Sequence, residues 1–216
     1  MNYFSGGEMS GKRLLMAVLA GITLLSAAAV AQDEKNELSG ILGRTFNSDQ
    51  GTIGSVRPVR FGQGLSFEVN YARHLRTENV YGISLEVPAM IDIDQDLNAS
   101  GPIVPIDYKV FFVTPSARVT LFPTTAVTPW VSFGGGFGHF SQNNNLIYGG
   151  GPNPGKSTNT GVIQGGIGLD VKFLSRFSIR GEVRDFWSGH PDFPLANTGK
   201  SRQHNFFVGG GVVWHF

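Results

Sequence analysis

The dominant signal along this chain is alternation. Between 176 and 187, Phe177, Ile179, Gly181 and Val183 take turns with Ser178, Arg180, Glu182 and Arg184. Between 65 and 75, Leu65, Phe67, Val69 and Tyr71 alternate with Ser66, Glu68, Asn70 and Ala72. Further on, Tyr81, Ile83, Leu85, Val87, Ala89, Ile91 and Ile93 oppose a face carrying Glu86, Asp92 and Asp94. A period of two sends successive side chains to opposite faces, which is the signature of strands. No stripe at the helical period of about 3.6 residues follows Leu25. Eight strands are predicted, at 37–46, 65–75, 80–93, 108–122, 129–140, 161–173, 176–187 and 205–216. The first is the least regular, because Leu38, Ile41 and Leu42 do not choose one face.

The connections alternate as well. Those at 76–79, 123–128 and 174–175 are short, and those at 47–64, 94–107, 141–160 and 188–204 are long. An antiparallel meander with all its short turns at one end has this pattern. So does an outer-membrane barrel, with tight periplasmic turns and longer outer loops.

The two faces differ in chemistry. One is bulky and apolar. The other is small and polar, and carries Glu68, Glu86, Asp170 and Glu182 with Arg118, Lys172, Arg180 and Arg184. Equal numbers of acids and bases suit an interior in which charges must pair, since an unpaired buried charge is very costly. Gly134, Gly136, Gly138, Gly166, Gly168, Gly209 and Gly211 mostly share that face, and small residues leave room for long side chains inside a narrow barrel. The aromatics predict two girdles. Tyr71, Tyr81, Phe173, Phe177, Trp214 and Phe216 stand near the short turns; Phe67, Phe111, Phe137, Trp187 and Phe206 stand near the long loops. Asp185 has the parity of the apolar face, which predicts a place at the outer interface. The fold class expected is all-β, a closed eight-stranded antiparallel up-and-down transmembrane barrel.

The amino terminus reads differently. Lys12 and Arg13 precede an apolar run from Leu14 to Leu25, and small residues follow to Ala29, Val30 and Ala31. That order is a secretory signal peptide, so residues 1–31 are expected to be cleaved and 32–216 to form the barrel. The apolar run is too short to span a membrane as a helix. Loss of the leader takes two bases and one acid from totals of 17 and 16, leaving no net charge.

Composition closes off other classes. Charged residues make up 15%, with 30 glycines, 17 phenylalanines and no cysteine. The missing cysteine excludes a disulfide scaffold and any thiolate-ligated zinc or iron–sulfur centre. Near-zero charge gives no footprint for nucleic acid. No motif points to a cofactor.

The chain ends Phe206-Phe-Val-Gly-Gly-Gly-Val-Val-Trp-His-Phe216, alternating to the last residue. This resembles the terminal strand of small bacterial outer-membrane barrels of the OmpA/OmpX type, without the soluble domain that some of them carry. The resemblance implies that Val212, Trp214 and Phe216 are read by the barrel-assembly machinery, and that the protein is exported to the bacterial outer membrane among its lipids. It implies a structural or surface-interaction role through the long loops and no enzymatic activity.

Three short patterns carry other chemistry. Gly150 to Ser157 spells G-x-x-x-x-G-K-S, but an Asn-rich stretch precedes it and a strand follows, where a phosphate loop needs a buried strand and then a helix. It reads as loop. Asp92, Asp94 and Asp96 begin like a calcium loop, yet Leu97 and Ile103 stand where that loop needs Gly and Glu, so they read as an acidic hairpin tip with a divalent cation as the alternative. His139-Phe140-Ser141 resembles the His-x-Ser pair of lipid A 3-O-deacylase, itself an outer-membrane barrel. The resemblance implies a lipid-facing His activating Ser, oriented by an acid. Here Gln142 replaces the family's Asn and no acid follows before Asp170. A lipid-modifying enzyme using His139 and Ser141 is therefore one alternative function, and a narrow gated pore is another.

Overall fold

The computed structural model describes residues 35–47, 59–61, 63–99, 107–142, 157–189 and 202–216, with side chains for all of these but 59–61, 94–99 and 107. The proposed leader at 1–31 and the 150–156 part of the phosphate-loop-like stretch lie outside these residues. By its backbone contacts Asn36–His215 forms a first compact unit. The first unit is the barrel.

Ten strand segments build it: β1 (Asn36–Asn47), β2 (Val59–Phe61), β3 (Gln63–Thr77), β4 (Tyr81–Ala99), β5 (Asp107–Val113), β6 (Ser116–Leu121), β7 (Val127–Gln142), β8 (Ser157–Leu174), β9 (Phe177–Gly189) and β10 (Arg202–His215). They make eight staves. β2 and β3 both pair with β4, and β5 and β6 both bridge β4 and β7. Every pairing is antiparallel, and β1 pairs with both β3 and β10, so the sheet closes on itself. Closure removes the unpaired edges that no sheet can leave in hydrocarbon.

The expected fourth stave at 108–122 is split. Pro115 has no N–H to give the ladder, and Thr114–Pro115 interrupts the strand. Two bonds hold the wall together there: Thr114 N donates to Pro88 O at 3.1 Å and Gly135 N donates to Pro115 O at 3.2 Å. The three short turns, Glu78–Val80, Phe122–Ala126 and Ser175–Arg176, leave from one end. The chain enters and leaves all four longer connections at the other.

Thirteen residues of β9 at about 3.3 Å each, tilted by about 40°, rise roughly 33 Å, enough to cross an apolar band about 25 Å tall. The outer surface matches such a band. Leu42, Leu85, Val131, Phe133, Ile167, Ile179 and Val183 all point outward and are exposed. Glu68, Glu86, Arg118, Asp170, Arg180, Glu182 and Arg184 are buried within. Water outside would make this an inverted protein; lipid outside makes both faces sensible. No helix among the described residues is long and apolar enough to cross a membrane; the strands are of crossing length.

Candidate functional site: the lumen and the outer rim

The lumen is filled in two layers. The layer nearer the short turns is a network of charges around one indole. Arg118 reaches across from β6 to grip Glu37 of β1, with Nη1 to Oε1 at 2.5 Å and Nη2 to Oε2 at 2.6 Å. Arg180 of β9 binds Asp170 of β8 through Nε and Nη2, both at 2.7 Å, and its Nη2 also meets Glu37 Oε1 at 2.8 Å. Arg184 donates to Glu86 at 2.7 Å and Glu182 at 3.0 Å, and stands 3.3 Å from Glu68. Trp130 lies at the hub. The Arg118, Arg180 and Arg184 guanidiniums are 5.7, 5.1 and 5.0 Å from its ring centroid, and its Nε1 donates to Asp170 at 3.2 Å. Forked guanidiniums paired with carboxylates and stacked on an indole are the strongest form of such contacts. Gly168 makes the indole possible, because a Cβ there would stand against Trp130 Cζ2, well inside contact distance.

The sequence reading differs from this layer in membership. Lys172 does not join it. Its ammonium is exposed and donates to Pro123 O at 2.9 Å, tying two short turns together below the barrel mouth. Its parity points inward, but β8 has already run past the interior at that height. Glu37 and Trp130 do belong to the network. The cast is therefore five carboxylates with three guanidiniums rather than four with four.

The layer nearer the long loops is apolar. Ile41, Met90, Tyr108, Val110, Phe112, Phe140, Val162, Phe186 and Phe207 form one buried cluster inside the barrel. Phe112 stacks on Phe186 at 5.1 Å and meets Phe140 edge-on at 5.8 Å. The paired glycines Gly43 and Gly209 admit the Phe207 ring, which occupies the space a Cβ would need at either. Gly43, Gly138, Gly168 and Gly209 thus make room for aromatic rings, Gly166 stands against Gln164, Ser132 and Arg184, and at Gly134, Gly136 and Gly211 the nearest atom is a backbone oxygen of the adjoining stave. Above this layer Tyr108 Oη accepts from Asn47 Nδ2 at 2.7 Å, and Thr45 meets Ser66 at 2.5 Å. Asp92 is buried at this end and faces the barrel interior, while the side chains of Asp94 and Asp96 lie outside the described residues.

At the lower mouth, Glu37, His74 and His215 each bring one ligand atom within 4.8 Å of the others. His74 Nε2 is 3.4 Å from Glu37, while Ser84 holds its Nδ1 at 2.8 Å and Ser178 holds His215 Nε2 at 3.0 Å. Both oxygens of Glu37 already accept from guanidiniums. A divalent cation would meet two fixed positive charges, so the trio caps the network instead.

The outside is equally ordered. Val212 and Trp214 face outward on β10 and Phe216 follows the strand. Asp185 sits on the outer face, bonded to His204 Nδ1 at 2.6 Å; Trp187, His204 and Phe206 stack in series at 5.9 and 5.7 Å, with Arg202 4.7 Å from the Trp187 ring. His139 and Ser141 share the outward face of β7, and His139 Nδ1 meets Asn159 Oδ1 of β8 at 2.6 Å.

This is a small barrel of the outer-membrane type. No protein-family model and no curated protein matches the sequence. Solved structures do resemble it in shape. Ail, the attachment invasion locus protein of Yersinia pestis in complex with the heparin analogue sucrose octasulfate, is 14% identical over 83% of this chain and 99% of its own, with a TM-score of 0.44. Neisserial surface protein A is 13% identical over 85% and 98%, at 0.49. OprG of Pseudomonas aeruginosa is 10% identical over 84% and 95%, also at 0.49.

Proposed function

We propose that this barrel is a sealed scaffold of the bacterial outer membrane, exported by its leader and inserted by the assembly machinery through Val212, Trp214 and Phe216, whose four longer connections are its working surface. The observation that carries the reading is the filled lumen. Arg118, Arg180, Arg184 and Trp130 are fully buried across its lower half, and four phenylalanines fill its upper half. A solute crossing would have to break both an ion network and an aromatic plug. What remains for interaction is the end from which the long connections leave.

Planar-bilayer recording on the full chain tests the seal, with no step above leak expected; a sustained open channel overturns it. Replacing 48–58, 100–106, 143–156 and 190–201 with tight turns tests the surface. Capture of surface partners by the intact barrel on cells should fall to the vector level while the heat-modifiable folded band persists. Retained binding would place the activity elsewhere.

One observation favours a second reading. The Asn159 carbonyl oxygen against His139 Nδ1 supplies, from the neighbouring strand, an orienting partner that the linear sequence does not show. With the Nδ1 proton held there, Nε2 is left as the base for the Ser141 hydroxyl, at a height suited to a lipid ester. Mass spectrometry of lipid A from expressing cells decides between them. Loss of one acyl chain that disappears in Ser141→Ala supports the enzyme; an unchanged spectrum removes it.

A further inference from the structure

The outer surface carries a groove of about 360 Å³ between β1, β3 and β10, lined by Leu42, Gly43, Arg44, Phe46, Leu65 and Val208. It is shallow and open along the wall rather than enclosed. Five of its residues are apolar or glycine. The sixth, Arg44, has outward parity on a wall that otherwise meets lipid.

Arg44 is placed to serve a headgroup. Its backbone pairs with Leu65, and its Nη1 donates at 3.0 Å to Oε1 of Gln63, a residue two positions nearer the outer rim on β3. Gln63 pairs with Phe46, and Phe46 pairs with Phe206, so the charge reaches the level of the outer aromatic girdle. This is snorkelling, with the stem in the apolar band and the head at the interface. Its partner Gln63 is neutral, and among the described residues no carboxylate lies within ion-pair distance of it.

Among the described residues of the outer half, Lys109 and Arg202 also point outward, and Asp185, the described acid on that face, is engaged by His204. Arg44, a cation at the headgroup level beside an apolar groove, complements an anion carrying acyl chains, while Lys109 and Arg202 lie outside the groove's lining.

We propose that the Arg44 groove seats a phosphorylated glycolipid of the outer leaflet, of the lipid A class. One acyl chain lies along Leu42, Phe46, Leu65 and Val208, and a phosphate sits on the Arg44 guanidinium. The proposal rests on the barrel crossing an outer membrane and not on what the loops bind.

Native mass spectrometry of the full chain in detergent tests it, with bisphosphorylated lipid A, lipid A stripped of phosphate and phosphatidylcholine as probes. One bisphosphorylated lipid A should be retained, and affinity should fall about tenfold in Arg44→Gln, the loss of one charge-assisted contact. Leu65→Trp, which fills the groove and leaves the charge, should lose the acylated lipid as well. Arg202→Gln should bind as the wild type does. Equal retention of phosphatidylcholine, or unchanged affinity in either Arg44→Gln or Leu65→Trp, would overturn the assignment. Neither conductance nor cell binding enters this measurement, so its failure leaves the sealed-scaffold reading standing.

Discussion

Replacing Arg184 with Met probes the ion network at its most exposed dependency. Methionine keeps much of the length of the side chain but removes the charge. Glu86 would retain the Asn70 amide at 3.0 Å and Arg118 at 3.5 Å. Glu68 and Glu182 would fare worse, because Arg184 is the cation within ion-pair distance of each among the described residues. Two buried carboxylates would be left without a counter-charge inside a barrel that water does not fill. Breaking a buried pair in this way costs about 3–5 kcal/mol. At about 1.4 kcal/mol per decade, that is two to three and a half orders of magnitude in the folding equilibrium. Urea titration in phospholipid vesicles, read by tryptophan fluorescence and by the mobility of the folded band, measures it. Trp130 reports locally, since its ring centre is 5.0 Å from the Arg184 guanidinium. Adding Glu68→Met and Glu182→Met should restore most of the loss, because replacing a whole buried ion cluster with apolar side chains is often neutral. A loss in Arg184→Met below about 1 kcal/mol, the level of an exposed pair, would mean that water solvates these carboxylates and would refute the filled lumen.

Other perturbations should divide by layer. Phe112→Ala removes a ring that stacks on Phe186 and meets Phe140, and should cost about 3–5 kcal/mol in the same titration, without opening conductance while the ion network stands. Val183→Arg, on the outward face of β9, should cost roughly 2–4 kcal/mol in vesicles if the residue sits at mid-bilayer. Deleting Phe216 should reduce folded barrel in the outer membrane far more than Phe206→Ala does; equal, mild losses would show that the terminal Phe is not a sorting signal here.

The barrel itself was legible because its two environments are opposites. Lipid outside and charges inside make the period of two strong on β3, β4 and β9, and connection length fixed the up-and-down order. The lumen was legible only where it is charged. Phe112, Phe140, Phe186 and Phe207 point inward among outward apolar neighbours, so apolar residues occupy both parities there and alternation goes silent. Trp130 shares its face with Thr128 and Ser132, and that parity was the available sign that it points inward. Glu37 stood on the least regular segment, where Leu38, Ile41 and Leu42 obscure the register that pairing with β3 and β10 sets. Lys172 misled because parity tells which way a side chain points and not where the strand leaves the interior. The Asn159 contact with His139 could not be read at all, since it joins two strands across a connection whose register the sequence does not encode.

The most direct test of the central claim scans β9. The chain has no cysteine, so a single cysteine at each position from Phe177 to Gly189 takes one spin label. Collision rates with oxygen, which dissolves in lipid, and with a water-soluble nickel chelate should be measured in vesicles. The account predicts a strict period of two: Ile179, Gly181 and Val183 open to oxygen and closed to nickel, with Arg180, Glu182 and Arg184 closed to both. Nickel reaching the even positions would reveal an aqueous channel, and nickel reaching the odd ones would mean that the strand does not cross a membrane.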